Sequence, residues 1–248
     1  MTAPLFRVPP GDLDGRASGH VVHLAGSEAR HAAVVLRLAA GEEVLLADTR
    51  GGAVSGRVLG AEPDDVAVEV TGRRDEPAPD PAFVLVQALA KEGRDEAAVE
   101  SATELGVDVV VPWQADRSIV RWRGDKVARG RARWEGVVAR AAKQSRRARW
   151  PLVEDLVTTA ALAARLDRPA VTALVLHEDA ATPLADHPLP DAGELILVVG
   201  PEGGIGDGEL ERLTAAGATP VRLGPHVLRS SNAGPAALAV LGARSRWR

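Results

Sequence analysis

Two glycine-rich turns near the C-terminus hold the residues of this chain best suited to small-molecule chemistry. In LILVVGPEGGIGDGELERL, the apolar run Leu195 to Val199 ends at Gly200, Pro201, Glu202, Gly203 and Gly204, and an acidic helix start follows at Asp207. In VRLGPHVLRSSNAGPAALAVL the plan recurs, with Val221 to Leu223, then Gly224, Pro225 and a basic elbow at Arg229. Glycine lacks a Cβ and tolerates positive φ, so such turns present bare amides and carbonyls to a ligand. Either turn alone reads equally well as ordinary strand-to-helix punctuation. Two of them close together predict one pocket.

The ligand is narrowed by what these turns lack. No G-x-x-x-x-G-K-[ST] occurs, and GGIGDGE departs from G-x-G-x-x-G because Glu209 stands at the last glycine position. A nucleoside triphosphate or dinucleotide is therefore not expected. The chain has no cysteine, which removes disulfides, thiolate metal sites and cysteine nucleophiles together. His20 and His23 lie three apart in a strand-like run, so they point to opposite faces, and no H-E-x-x-H occurs. No metal is expected.

The elements that must position the turns follow from the periodicity. Residues 1–72 read as short strands, HVVHL, EEVLLAD, AVSGRVLGA and DVAVEV, which predict a small β-barrel or rolled sheet. Between the first two, SEARHAAVVLRL reads as a helix capped by Ser27, with Ala32, Val35 and Leu36 inward and Arg30, His31 and Arg37 on or near the other side. The Pro-rich, charged stretch at 73–82 reads as a linker. From residue 83 to 248 strands alternate with helices: FVLVQAL, RDEAAVESATEL stopped by Gly106, DVVVPW, a basic helix over 125–147, ALVLHE, and the two loop-bearing strands. Continuous apolar strands alternating with helices predict a parallel α/β sheet covered on both faces, with ligands outside the carboxyl ends of its strands.

The formal charge is −4 but unevenly spread. Arg117 to Arg149 holds twelve Lys or Arg against Asp125 and Glu135, a local balance of +10 on a remainder of −14. Such segregation predicts a phosphate-binding patch on an otherwise acidic protein, and nucleic acid is its natural partner. Arg117, Arg121, Arg129, Arg133, Lys143, Arg146 and Arg147 are the candidate contacts here, joined by Arg7, Arg30 and Arg37 from the first domain. Trp113, Trp122, Trp134 and Trp150 offer stacking surfaces for unpaired bases, although core anchoring is the favoured reading for each. No apolar run approaches membrane-spanning length and the N-terminus lacks a signal-peptide plan, so a cytoplasmic location away from membranes is expected.

VVGPEGGIGDGEL followed by RLGPHVLRSSNAGPAAL resembles the C-terminal signature of the SPOUT methyltransferases, and specifically of the RsmE family of small-subunit ribosomal RNA uracil-N3 methyltransferases. HAAVVLRLAAGEEVLLAD, LVQALAKEGRDEAAVESATELGVDVVVPWQADRSIV and RWEGVVARAAKQSRRARWP sit where that family carries similar segments, in the same order, so the resemblance spans nearly the whole chain. It implies a PUA-like RNA-binding domain, a deep trefoil knot near the C-terminus, S-adenosyl-L-methionine as methyl donor and a homodimer built through the knotted region. The substrate it implies is small-subunit ribosomal RNA or the assembled small subunit. It further implies three cofactor walls: Leu176, His177 and Glu178; Gly200, Pro201, Glu202, Gly203 and Gly204; and Leu223, Gly224, Val227, Leu228 and Ser230.

The chemistry then asks for loss of the uracil N3 proton, by a base or by nearby positive charge. Arg229 is the candidate for stabilising the anion, and Glu202 is the second catalytic candidate. Many family members read LRTETA where this chain reads Leu228, Arg229, Ser230, Ser231, Asn232 and Ala233, so an acid is missing at Ser231. The serine-asparagine elbow also keeps open a SPOUT ribose 2′-O-methyltransferase, and the lost acid keeps open a catalytically silent RNA-binding assembly factor.

Overall fold

A computed structural model describes residues 3–247. The chain forms two compact units: one takes the residues up to Ala78 together with Ala142–Trp150, the other Pro79–Ala141 and the residues from Pro151 onward.

The first unit is a five-stranded sheet in the order β1-β3-β4-β5-β2, with β1 Leu5–Arg7, β2 Val21–Ala25, β3 Glu43–Ala47, β4 Ala53–Glu62 and β5 Asp65–Arg73. All pairings are antiparallel except β1 with β3. Period-two burial places Val66, Val68 and Val70 of β5 in a core with Phe6, Leu24, Leu46, Val54 and Val58. The sequence reading did not mark β1, because three residues ahead of a Pro-Pro pair carry no period of their own.

The short helix differs from expectation. Helix α1 covers only Gly26–Arg30, and a π-helical turn over His31–Val35 follows. The Leu36 N–H donates to the His31 carbonyl at 2.9 Å, one residue wider than an α-helical bond. That change of pitch rotates the later residues outward. Ala29 and Ala32 are buried as the core face, whereas Val35 and Leu36 are exposed and Ser27 makes no cap.

The second unit is a parallel sheet in the order β12-β10-β11-β6-β7-β8, with the short β9 also on β7. Its strands are β6 Ala82–Ala88, β7 Val109–Gln114, β8 Leu152–Val153, β9 Val157–Thr158, β10 Val171–Leu176, β11 Glu194–Val199 and β12 Thr219–Val221. Alternation along each strand feeds two cores. Phe83, Leu85, Leu195 and Leu197 face one side, and Val84, Val86, Ile196 and Val198 face the other. Helices α2 Arg94–Glu104 and α6 Ser230–Arg244 cover the first face, while α4 Thr159–Leu166 and α5 Asp207–Ala215 cover the second. The basic helix α3 runs from Asp125 to Gln144 and buries Trp134, Val137 and Val138.

Candidate functional site

Because β10, β11 and β12 are mutually parallel through their pairings, their carboxyl ends emerge on the same side. The three loops that leave those ends enclose a cavity of about 780 Å³. Leu176, His177 and Glu178 form its first wall, Gly200, Pro201, Glu202, Gly203 and Gly204 its second, and Leu223, Gly224, Val227, Leu228, Arg229 and Ser230 its third. The fold thus gathers every residue that the sequence reading placed at the pocket.

The loops are held by backbone and by distant side chains. The His177 N–H donates to the Val221 carbonyl at 3.0 Å, which joins the first and third walls, and His177 Nδ1 accepts the Asp179 N–H at 3.3 Å. A Cβ at Gly200 would come 2.7 Å from Ile205 Cγ1, so the tight return of the second loop requires glycine there. Gly204 has φ +73°, a conformation that also favours glycine.

Two arginines from outside the three loops enter the cavity, and sequence reasoning assigned neither to it. Arg94, at the start of α2, donates to Glu202 Oε1 at 3.1 Å, and the Lys91 N–H reaches the same oxygen at 3.4 Å. Glu202 is therefore tied back to the start of α2. Arg117, expected as an RNA contact, lies along the second loop and donates to the Gly203 carbonyl at 3.2 Å. Arg229 is exposed and its guanidinium makes no hydrogen bond with the described residues.

Glu209, the residue that breaks the dinucleotide pattern, is 4% exposed. Its carboxylate accepts from the Asp116 N–H at 2.9 Å, the Thr159 hydroxyl at 2.6 Å and the Gly206 N–H at 3.4 Å. Trp113 Nε1–H in turn donates to Thr159 Oγ1 at 3.2 Å. One buried carboxylate thus holds the end of the second loop against the loop that carries Arg117.

Ser231 lies beside the cavity without lining it, and its hydroxyl donates to Asn232 Oδ1 at 3.1 Å. Ser230 does line the cavity.

The basic residues fall on both units. In the first, Arg30 and Arg37 are exposed, Lys143 pairs with Glu28, and Arg7 stacks over the Trp150 ring at 5.7 Å. Arg146 lies in the same unit with φ +58°, next to Arg147. In the second, Arg121 donates to the Asp116 carbonyl, Arg129 approaches Asp125 at 3.9 Å and Arg133 pairs with Glu96 at 3.2 Å. The tryptophans are structural here. Trp113, Trp122 and Trp134 are buried, and the last two meet edge to face at 5.7 Å. Among the described residues no cluster of His, Cys, Asp and Glu suits a metal ion.

A family described as RNA methyltransferase domain matches residues 77–242, and one described as RNA methyltransferase PUA domain matches residues 24–71. Fold and site therefore define an RNA methyltransferase that carries a PUA domain. The chain is 44% identical over 235 residues to ribosomal RNA small subunit methyltransferase E of Mycobacterium bovis, covering 93% of this chain and 89% of that one. It is 29% identical to the protein of the same name from Bacillus subtilis, over 85% of each chain. A crystal structure of ribosomal RNA small subunit methyltransferase E from Neisseria gonorrhoeae bound to S-adenosyl methionine aligns with a TM-score of 0.85, at 28% identity and 98% coverage of both chains. The protein belongs to the ribosomal RNA small subunit methyltransferase E family.

Proposed function

We propose that this protein transfers a methyl group from S-adenosyl-L-methionine to N3 of a specific uridine in small-subunit ribosomal RNA. The observation that carries this reading is the cavity that three strand-end loops build together, in a fold shared with a neighbour whose structure holds S-adenosyl methionine. The residues suit that donor. Glycine at 200, 203 and 204 lets a ligand approach the backbone closely, with the Gly203 carbonyl held by Arg117 and the Gly204 N–H by the Pro201 carbonyl, and Leu176, Leu223 and Leu228 give an adenine an apolar bed. When bound, the donor supplies an electrophilic methyl on a sulfonium. The protein positions the base against it, and positioning alone lowers such barriers substantially. Arg229, at the cavity and without a side-chain partner among the described residues, favours the uracil anion. Glu202 shapes the second wall through Arg94 rather than standing free as a base.

Residues 1–72 then serve as the RNA-reading domain, 73–82 as the linker and 83–248 as the catalytic domain with its trefoil, except that Ala142–Trp150 belongs to the compact unit of the RNA-reading domain. The basic residues of both units hold RNA phosphates, either in naked RNA or in the assembled small subunit. We also infer a homodimer through the C-terminal region and a cytoplasmic location. No helix among the described residues is long and apolar enough to cross a membrane. Nucleoside mass spectrometry of small-subunit RNA from deletion and complemented strains tests the reading. It predicts 3-methyluridine only with the gene present. A methyl found on ribose would favour 2′-O chemistry, and cofactor binding without any transfer would favour a silent assembly factor.

A further inference from the structure

We infer that the tip of the π-helical turn in the first unit packs on unpaired RNA bases through Val34, Val35 and Leu36, while Arg30 and Arg37 hold the phosphates beside them. This rests on the reading of that unit as the RNA-reading domain, and it adds an apolar contact to a surface otherwise argued from charge. Val34, Val35 and Leu36 are 45%, 63% and 43% exposed, in one unbroken run. Apolar residues scattered singly over a surface are ordinary, whereas a contiguous exposed group marks a place where something binds. Here the widened pitch of the turn creates the group, and π-helical turns are found mostly at functional sites.

The tip is held firmly from below. Ala32 is buried just before it and Leu38 packs against the same core just after it. The Leu38 N–H donates to the Ala32 carbonyl at 3.0 Å, which closes the chain beneath the exposed residues. His31 meets the buried Phe6 ring edge to face at 6.1 Å. Arg37 has φ +55°, a left-handed conformation that costs a non-glycine residue energy and that concentrates where a side chain must be aimed. A tip fixed in this way loses little freedom when a ligand covers it.

The charge around the tip selects the ligand. Glu28 is the one acid in the sequence between Gly26 and Gly41, and its carboxylate is taken by Lys143 and by the Arg7 N–H at 3.2 Å. Arg30 and Arg37 are exposed, and their guanidinium groups make no hydrogen bond or ion pair among the described residues. An apolar tip with a cationic rim fits a polymer that presents flat apolar faces between phosphates, which is single-stranded RNA. A double helix hides those faces in its stack, so the tip favours loops, bulges and ends.

The test is filter binding of small-subunit RNA from a deletion strain over a salt series, with wild type, Val35→Ser plus Leu36→Ser, Arg30→Gln plus Arg37→Gln, and Leu36→Met. The serine variant should bind about ten-fold more weakly at every salt concentration with an unchanged slope, because apolar packing releases no counterions. The glutamine variant should lose about one unit of slope for each phosphate no longer neutralised. Leu36→Met should bind like wild type, and a fully paired RNA duplex should not distinguish the serine variant from wild type. Unchanged binding of small-subunit RNA by the serine variant overturns the inference, as does an equal defect on the duplex. A defect on assembled subunits but not on naked RNA overturns it in favour of a ribosomal protein, and a changed oligomeric state in sedimentation overturns it in favour of a second copy of this chain. If the serine variant does not fold, Val35→Thr is read against the same outcomes. Wild type that binds small-subunit RNA beside an equally tight serine variant sinks this inference alone, whereas wild type that does not bind that RNA sinks the reading beneath it.

Discussion

Gly200 shows how closely the cavity depends on single atoms. A methyl group there would sit 2.7 Å from Ile205 Cγ1, and Ile205 is itself buried. Gly200→Ala should therefore displace the second loop, at an overpacking cost of about 1–3 kcal/mol. We expect S-adenosylhomocysteine affinity to fall about ten-fold, equivalent to ~1.4 kcal/mol, in calorimetry. Asp95 makes a different kind of prediction. Burial raises its pKa above the ordinary 3.8, opposed by the N–H groups of Ala90 and Glu96 that it accepts. A raised folded value means that the folded state resists charging this carboxyl, so the cost is present at neutral pH. It fades as pH falls through the raised value and is gone below the ordinary one. Asp95→Asn should then raise the melting temperature at neutral pH, with a gain that shrinks toward pH 3.8. A gain that grows on acidification would contradict this.

At the scale of elements, Glu209 decides how two loops meet. Removing its carboxylate in Glu209→Ala leaves three donors from Asp116, Thr159 and Gly206 without their acceptor in a buried site. The expected loss is about 2–4 kcal/mol, visible as a melting temperature lower by about 5–15 °C. The Arg117 loop should loosen with it, so hydrogen exchange at residues 115–118 and 203–206 should rise together. Helix α6 illustrates a second device. A Cβ at Gly234 would come 2.9 Å from Leu85 Cδ1, so its small-residue face is used for packing on β6 within the same unit.

For the whole molecule, the segregation of charge matters more than its sum. Arg129 and Arg133 are exposed on α3, whose buried side is anchored by Trp134 and Val137, and Arg121 lies in the segment that precedes it. Their joint replacement by alanine should weaken RNA binding and flatten its salt dependence, by about one unit of slope for each phosphate that is no longer neutralised. Filter binding over a salt series measures it, and an unchanged slope would remove these residues from the RNA surface. Each of the three trades an existing contact for a phosphate: Arg121 with the Asp116 carbonyl, Arg129 with Asp125 and Arg133 with Glu96.

The sequence by itself determined what depends on near neighbours. Glycine and proline mark the two C-terminal turns, continuous apolar runs mark β6, β10 and β11, and period-two alternation marks β4 and β5, because backbone preference and burial act within a few residues. The parallel sheet, and so the convergence of three loops at one end, follows from that pattern. Only the tertiary structure decided which side chains complete the cavity. Arg94 meets Glu202 across 108 residues and Glu209 meets the Asp116 amide across 93, and no local signal carries either pairing. It also decided directions that a one-residue change of pitch or register reverses. The π-helical turn moved Val35 and Leu36 to the surface, and the start of α6 placed Ser230 at the cavity while Ser231 lies outside its lining. Chain-local energetics fix the type of an element; packing against distant elements fixes which of its faces is inward, and the chemistry of this site lies in that second choice.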